Sequence, residues 1–225
     1  MHPHAALPFP DFLRMEDEEM LARAEGFRAE LARRHTCRMF APDPVPRGVI
    51  EAGIAAAGTA PSGANHQPWF FAAVNNPAMK ARIRTATEAE ERAFYAGKAG
   101  EEWLGALGPL GTNEDKAYLE VAPWLIAIFA QRRGGVRAGE ARKNYYINES
   151  VGIATGFLIA ALHRAGVATL THTPNPMNFL NDICERPPSD KPYLLLVCGY
   201  PAADATMPTH AAIKKPLGEI ARFWL

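Results

Sequence analysis

The chain has 225 residues, of which 48% are apolar and 21% are charged, and its 24 lysines and arginines equal its 24 aspartates and glutamates. This length fits one sizeable core and is short for two independent domains. The formal net charge of zero excludes a general electrostatic attraction to nucleic acid or to an anionic membrane.

The N-terminus and the cysteines predict a cytoplasmic protein. The first residues lack the basic start and apolar run of a signal peptide, and no apolar run reaches the roughly 18 residues of a membrane span. Cys37, Cys184 and Cys198 lie far apart, so a disulfide framework or a zinc site is not expected. The histidines show no metal-ligand spacing, and we expect no bound metal.

Helical and strand patterns alternate along the chain and predict a mixed α+β fold with a single hydrophobic sheet in one domain. In chain order we predict an extended arm over 1–15, helices over 16–34 and 46–58, a strand over 69–74, a glycine-loosened helix over 76–107, a buried strand over 123–130, an exposed loop over 131–144, a buried helix over 145–166, a short strand or loop over 167–173, a short helix over 178–186, a buried strand over 192–200 and an apolar tail over 214–225.

The last residues of the chain are apolar and large. Burying Phe223, Trp224 and Leu225 is worth roughly 1.5–3 kcal/mol for each side chain. Together with the proline-rich arm they predict a subunit interface, and the alternative is a tail that folds back on its own core.

A basic cluster, Arg33 to Arg38, stands where the first helix ends. Guanidinium groups and the Thr36 hydroxyl together suit a phosphate, although cations also favour a helix C-terminus without any ligand. The segment Pro61-Ser62-Gly63 can present backbone N–H groups and a hydroxyl, which favours a phosphorylated cofactor. No Walker or G-x-G-x-x-G pattern supports a P-loop or a Rossmann fold.

These two segments resemble those of the nitroreductase superfamily of flavoproteins. Residues 34–38 are similar to its Arg-x-Ser/Thr-x-Arg clamp, and "GTAPSGANHQPWFF", 58–71, is similar to its flavin loop. The collinear order of "NEDKAYLEVAP", "AALHRAGVATLTHTP", "VCGYP" and "KKPL" then resembles the iodotyrosine deiodinase branch over about residues 27–220. The resemblance implies a nitroreductase-like FMN-binding α/β sandwich that works as an intertwined homodimer, with two FMN sites at the subunit interface.

The same resemblance implies the residues that would contact FMN. They are Arg34, His35, Thr36, Cys37, Arg38, Pro61, Ser62, Gly63, Thr171, His172, Thr173 and Lys214. His35 stands where members often carry arginine, and Lys214 stands where they carry an arginine whose fork lysine lacks. Thr173 is the implied catalytic residue, because its hydroxyl would hydrogen-bond the flavin N5 and tune one-electron steps. Without the resemblance, a Thr-Pro loop that satisfies its own backbone is the preferred interpretation.

Glu91, Tyr95 and Lys116 coincide with the three residues by which iodotyrosine deiodinases hold an amino-acid zwitterion. Glu91 and Tyr95 are four apart in a helical stretch and share a face. By resemblance, Glu91 would accept from the ammonium group, and Lys116 and Tyr95 would bind the rest of the same end. From residue counts alone, a solvated helix surface is the preferred interpretation.

Two further features of the resemblance concern the substrate ring and its closure. The backbone N–H of Ala64 would donate to the phenolate oxygen, and a fixed donor there stabilises the charged form of the phenol. The glycines at 97, 100 and 105 suit a lid over about 85–118 that orders on substrate, or else mark a merely poor helix.

The expected activity is therefore FMN-dependent reductive dehalogenation of 3-iodotyrosine and related halotyrosines, with NAD(P)H as electron donor directly or through a separate reductase. The alternative is a general NAD(P)H-dependent nitroreductase or flavin reductase acting on nitroaromatics or quinones, and a third possibility is a binding protein without activity. The Glu91, Tyr95 and Lys116 trio distinguishes the first from the second, because nitroreductases proper lack it.

Overall fold

The computed structural model describes residues 5–9, 12–137 and 139–224, which fall into two compact units, Met1–Arg34 and His35–Leu225. In the first unit, helix α1 spans Asp17–Ala32, with three acidic residues in its first turn that complement the helix dipole. Its apolar side chains include Met20 and Leu21, which are 55% and 61% exposed. Residues 5–9 and 12–16 of the predicted arm have no regular structure, and its residues 1–4, 10 and 11 lie outside the described residues.

The second unit contains the sheet and its covering helices. Its elements are α2 (Arg47–Gly58), β1 (Trp69–Val74), α3 (Pro77–Ala93), α4 (Glu101–Leu107), α5 (Tyr118–Val121), β2 (Trp124–Gln131), β3 (Arg133–Gly134), β4 (Arg142–Lys143), α6 (Ile147–Arg164), β5 (Ala168–His172), α7 (Phe179–Ile183), β6 (Asp190–Gly199) and α8 (Leu217–Ile220). The loop predicted over 131–144 contains the β3–β4 hairpin, because two short charged strands give no apolar period to detect.

One four-stranded sheet, in the order β1-β2-β6-β5 with every neighbouring pair antiparallel, organises the second unit. Strand β2 is buried on both faces. Its residues Ile126 and Ile128 pack with α2 and α6, whereas Leu125 and Phe129 pack on the opposite face with α3, α5 and α7. This double burial explains why the strand is a continuous apolar run.

The long helix predicted over 76–107 is divided. Asn76 caps the start of α3 by accepting the Met79 N–H at 3.0 Å. A π turn at Phe94–Lys98 then follows α3, and it contains Gly97 at φ 140°, a conformation that other residues rarely adopt. Gly100 precedes α4 in extended conformation. Gly105, predicted to loosen the helix, instead lies inside α4.

The apolar tail does not pack on the core of its own unit. Its large side chains are all more than 60% exposed: Ile213, Leu217, Ile220, Phe223 and Trp224. Leu225 lies outside the described residues. Across the described ranges, no helix combines the length and apolarity that a bilayer crossing needs.

Candidate active site

A cavity of about 410 Å³ lies in the second unit between the π turn, α4, the segment before α5 and the end of β5. It brings together seven of the residues predicted for cofactor or substrate: Arg38, Glu91, Tyr95, Lys116, Thr171, His172 and Thr173. Residues far apart in sequence therefore converge on one pocket that carries both charged and hydroxyl groups.

An ion pair forms the charged end of the pocket. Lys116 Nζ lies 3.1 Å from Glu91 Oε2, and the two side chains are only 5% and 13% exposed. Lys116 Nζ also donates to the Asn113 carbonyl oxygen. Because little water reaches the pair, each charge depends on the other for compensation. The arrangement is complementary to a ligand that carries both charges itself.

The position of Lys116 is fixed by an ion network between α3 and α5. Glu88 Oε1 accepts the Lys116 backbone N–H at 3.0 Å and the Arg84 Nε at 2.7 Å. Arg84 also donates to Asp115 and Glu120, at 3.2 and 3.3 Å. Burial alone would raise the pKa of Glu88, but the hydrogen bonds from Arg84 and from the Lys116 amide hold that pKa below its usual value. The ionised Glu88 thus ties the start of α5 to α3.

Tyr95 stands in the π turn rather than in α3 itself. Its hydroxyl donates to Thr112 Oγ1 at 3.0 Å, and Lys116 Nζ lies 5.9 Å from its ring centroid. The π turn therefore carries Tyr95 to the same pocket wall as the ion pair. Gly97, two residues later, allows the chain to turn back toward α4.

The end of β5 presents two different surfaces to the pocket. Successive side chains of a strand point to opposite faces, and here Thr171 and Thr173 are exposed whereas His172 is buried. Burial, with the positive charges of Lys116 and Arg38, lowers the pKa of His172 to about 3, so the imidazole is neutral at physiological pH. Its Nε2 lies 4.0 Å from Glu91 Oε1 and has no hydrogen-bond partner among the described residues.

Tyr118 completes the buried side of the pocket. Its ring meets the His172 ring edge-on at 6.0 Å between centroids. Burial and the nearby Glu91 carboxylate raise the pKa of its hydroxyl above the usual value. The phenol is therefore neutral, and it adds an aromatic wall beside the imidazole.

The basic segment predicted to bind phosphate runs along β5. Thr36 pairs with Thr169, and the Cys37 N–H donates to the Thr169 carbonyl oxygen at 3.1 Å. Of this segment only Arg38 lines the pocket. Arg34 belongs to the first unit. Burial raises the pKa of the Cys37 thiol, so it is protonated.

The predicted flavin loop packs against the start of α6 and contributes no residue to the pocket. Ser62 Oγ accepts the Gln67 N–H at 2.9 Å. The Gly63 N–H, expected to face a phosphate, donates instead to Ser150 Oγ at 3.3 Å. A Cβ at Gly63 would lie 2.6 Å from the Tyr145 carbonyl oxygen, so close backbone contact requires glycine here.

Backbone conformation in this loop is unusual. Ala64, Asn65 and Gln67 have φ values of 52°, 55° and 51°, which non-glycine residues adopt at a cost. Lys214 is likewise outside the pocket, and its Nζ donates to the backbone oxygens of Ala211 and Ile213. Neither Ala64 nor Lys214 reaches the Glu91–Lys116 pair within one chain.

Several pocket residues were not identified from the sequence. They include Phe94, Trp103, Leu107, Thr112 and Tyr118. Thr112 and Tyr118 lie close to Lys116 in the sequence, and this proximity is the signal by which they could have been identified. Trp103, 59% exposed on a glycine-flanked helix, is an unusual surface residue and a second such signal.

An antiparallel sheet covered by helices on both faces, with a pocket at the end of β5, defines a nitroreductase-like α+β protein. The nitroreductase family profile matches residues 31–200, and the chain belongs to this family. This confirms the predicted nitroreductase-like α+β fold and the resemblance to that superfamily.

Its similar relatives include iodotyrosine deiodinases. The protein of that name from Haliscomenobacter hydrossis is 48% identical over 193 residues, which are 86% of this chain and 87% of the relative. Human iodotyrosine deiodinase 1 is 41% identical over 205 residues, 91% of this chain and 70% of the relative.

Solved structures agree with the sequence relatives. An oxidized iodotyrosine deiodinase bound to FMN and 3-iodo-L-tyrosine is 28% identical, with a TM-score of 0.68 over 79% of this chain and 90% of that one. A BluB-like flavoprotein from Clostridium difficile, 20% identical with a TM-score of 0.67 over 88% of this chain and 98% of that one, shares the fold.

Proposed function

We propose that this protein is an FMN-dependent reductive dehalogenase that converts 3-iodotyrosine and related halotyrosines to tyrosine and halide. The observation that carries the proposal is the buried Glu91–Lys116 ion pair beside Tyr95, in a pocket that ends at Thr173. The iodotyrosine deiodinase relatives, at 48% and 41% identity, support the same activity. A nitroaromatic or quinone substrate carries no ammonium and carboxylate groups that could pair with the two desolvated charges.

The ion pair explains how an amino acid would be recognised. In the absence of substrate, Glu91 and Lys116 compensate each other. A zwitterion supplies both charges, so Glu91 accepts its ammonium group and Lys116 pairs with its carboxylate. Tyr95, whose hydroxyl is held by Thr112, donates to the same end. The exchange keeps every buried charge paired, which a ligand with only one charge cannot achieve.

Other residues that line the same pocket fit a flavin mononucleotide. Arg38 brings a guanidinium to the pocket, and the exposed hydroxyls of Thr171 and Thr173 lie on one face of β5. We assign the phosphate and ribityl contacts to residues 35–38, the part of the basic segment that lies in the second unit, and the N5 hydrogen bond to the Thr173 hydroxyl. When bound, FMN supplies the two electrons that, with one proton, replace the carbon–halogen bond by C–H and release halide.

The active protein is proposed to be a homodimer. The Pro61–Ala64 loop and Lys214 do not line the pocket of their own chain, and the C-terminal apolar side chains are exposed. A second copy that covers the tail and brings its loop to the pocket accounts for both facts. The loop would then direct the Ala64 N–H toward the substrate phenolate.

The setting and the electron donor are further parts of the proposal. The three cysteines are unpaired, which supports a reducing, cytoplasmic compartment.

NAD(P)H is the proposed source of electrons, directly or through a separate reductase. Replacing a chemical reductant by NADH or NADPH, with and without cell extract, separates the two routes.

The function is tested anaerobically with the FMN-loaded protein. After reduction with dithionite, 3-iodotyrosine is added, and tyrosine and iodide are quantified against free reduced FMN. We expect one tyrosine and one iodide for each reduced FMN. Bound FMN with no tyrosine formed, together with turnover of nitroaromatics, would replace the proposal by the general nitroreductase activity.

A further inference from the structure

The imidazole of His172 has a position that a flavin contact does not explain. The pleat of β5 directs it away from the exposed hydroxyls of Thr171 and Thr173. It faces the Glu91 carboxylate at 4.0 Å, with its side chain 9% exposed. The imidazole and the two hydroxyls thus line the same pocket from different sides of the chain, and only the imidazole lies against Glu91.

Nε2 of His172 is a buried polar atom without a hydrogen-bond partner among the described residues. Such atoms are rare in folded proteins, and each calls for an explanation. The titratable and charged groups that face the imidazole are Glu91 from α3, Lys116 and Tyr118 from the segment at the start of α5, and Arg38 from the segment that pairs with β5 at Thr36. Burial, together with the two cations among these groups, lowers the pKa of the imidazole and keeps it neutral.

The nearest polar atom determines which tautomer fits. A carboxylate only accepts hydrogen bonds, and a neutral imidazole donates from one nitrogen alone. Since Glu91 Oε1 is the group that Nε2 faces, the tautomer that carries its proton on Nε2 satisfies both atoms once the 4.0 Å separation shortens by about 1 Å to hydrogen-bond length.

We propose that His172 is a positioning residue for the amino-acid end of the substrate, because its Nε2–H holds Glu91 Oε1 and keeps the carboxylate aimed at the ammonium group. This inference rests on the proposed function and assigns to His172 a role toward substrate rather than toward FMN.

The need for a second contact to Glu91 follows from the exchange of ion pairs. In the structure Lys116 holds Glu91 Oε2 at 3.1 Å. When Lys116 turns to the substrate carboxylate, Glu91 loses that contact, and its flexible side chain regains rotamers that do not face the ammonium. A hydrogen bond from His172 to Oε1 restricts those rotamers while leaving Oε2 free to accept.

Ligand binding tests this role in the FMN-loaded protein, with variants His172→Phe and His172→Gln. We expect His172→Phe to raise the Kd for 3-iodotyrosine about tenfold, as for a lost hydrogen bond to a charged group. The Kd values for FMN and for 2-iodophenol, which lacks the amino-acid end, should change less than about twofold. His172→Gln retains a donor and should recover most of the affinity, and His210→Gln serves as an exposed control.

The tautomer provides a readout that needs no substrate. In histidine-labelled protein, ¹⁵N NMR is expected to show His172, assigned through the His172→Gln variant, as a neutral imidazole protonated on Nε2 at pH 6. A protonated ring or an Nδ1–H tautomer would overturn the inference. So would a His172→Phe variant that binds 3-iodotyrosine normally or loses FMN and iodotyrosine equally.

The outcomes separate the inference from the function on which it rests. If the wild type dehalogenates and His172→Phe binds iodotyrosine as the wild type does, only the role of His172 fails. If the wild type binds 3-iodotyrosine with the expected dependence on His172 but releases no iodide, the dehalogenase activity fails and the positioning role stands.

Discussion

At the scale of single residues, the main feature of the pocket is that two buried charges of opposite sign compensate each other. Glu91 and Lys116 are nearly buried and lie 3.1 Å apart, and an ion in that setting is tolerated because its partner is present. Under the proposed function, the same compensation would make the pair selective, because only a ligand that replaces both partners leaves no charge uncompensated. Stability and specificity are therefore linked at this pair.

The link predicts the behaviour of Lys116→Gln. Removing the cation leaves Glu91 without its ion-pair partner, and we expect a loss of about 3 kcal/mol in the free energy of unfolding, measured with urea. The Kd for 3-iodotyrosine should rise at least about tenfold, the equivalent of 1.4 kcal/mol, while the Kd for FMN changes little.

The double variant Lys116→Gln/Glu91→Gln is the control, because it removes both charges. It should recover much of the lost stability but none of the affinity for 3-iodotyrosine. Equal losses of FMN and iodotyrosine affinity in Lys116→Gln would contradict the assignment of this pair to substrate.

The lowered pKa of His172 predicts that the free energy of unfolding depends on pH. Its pKa is about 3 in the folded protein and about 6.5 in an unfolded chain. Between these values the unfolded state binds a proton that the folded state does not, so stability falls as the pH falls from about 6.5 toward 3, by about 1.4 kcal/mol per pH unit, and is unaffected above that window.

Urea unfolding between pH 4.5 and 5.5 measures this slope. His172→Asn should reduce the slope by about 1.4 kcal/mol per pH unit relative to the wild type. His210→Asn, which removes an exposed imidazole, is the matched control. An unchanged slope in His172→Asn would mean that the imidazole is not held neutral by the fold.

At the scale of elements, the network around Arg84 joins two segments that the sequence keeps far apart. Arg84 on α3 contacts Glu88 on the same helix and Asp115 and Glu120 near α5. Glu88 in turn accepts the Lys116 N–H. The network positions the backbone that carries Lys116, although none of its three carboxylates lines the pocket.

Arg84→Gln should therefore weaken both the fold and substrate binding. We expect a loss of about 1.5–3 kcal/mol in unfolding free energy, as for hydrogen bonds to a charged group, and a severalfold increase in the Kd for 3-iodotyrosine. Arg92→Gln is the matched control, since Arg92 lies on the same helix, 3.9 Å from Glu88, and is 60% exposed. Similar effects in both variants would remove the special role of Arg84.

The glycines between α3 and α4 differ in what they contribute. Gly97 has φ 140°, whereas Gly105 lies inside α4, and neither has a neighbouring atom within 4 Å of an added Cβ. Any effect of alanine is thus an effect on the backbone. Gly97→Ala should cost about 1–3 kcal/mol, whereas Gly105→Ala should stabilise by about 0.5–1 kcal/mol.

Thermal unfolding of the two variants, with the Kd for 3-iodotyrosine measured alongside, checks this contrast. Since the Gly97 turn carries Tyr95, only Gly97→Ala should weaken substrate binding. Equal effects at both positions would indicate that the segment tolerates any backbone and does not act as an ordered lid.

At the scale of the whole molecule, elements with their own periodicity were predictable. The continuous apolar run over 123–130 predicts the buried strand β2, whereas the sequence over 167–173 is compatible with a short strand or a loop and forms β5. The Glu91, Tyr95 and Lys116 trio came from resemblance, because no local pattern connects Lys116 with α3. The Arg84 network depends on tertiary packing, and the positive φ values at Ala64, Asn65 and Gln67 occur in residues whose identity does not require them.

The proposed homodimer is a property of the whole molecule, and substitutions in the C-terminal tail test it. Phe223 and Trp224 are 70% and 80% exposed in one chain, and burying a large apolar side chain is worth roughly 1.5–3 kcal/mol. In a symmetric dimer each contributes twice, so Phe223→Ser/Trp224→Ser should raise the dimer dissociation constant by at least about 100-fold in sedimentation equilibrium. Glu219→Ser, in the same tail, should leave the constant unchanged.

Because the pocket of one chain lacks the Pro61–Ala64 loop, monomers should also lose FMN affinity. A monomeric wild type, or a monomeric variant that binds FMN normally, would contradict a site shared between two copies.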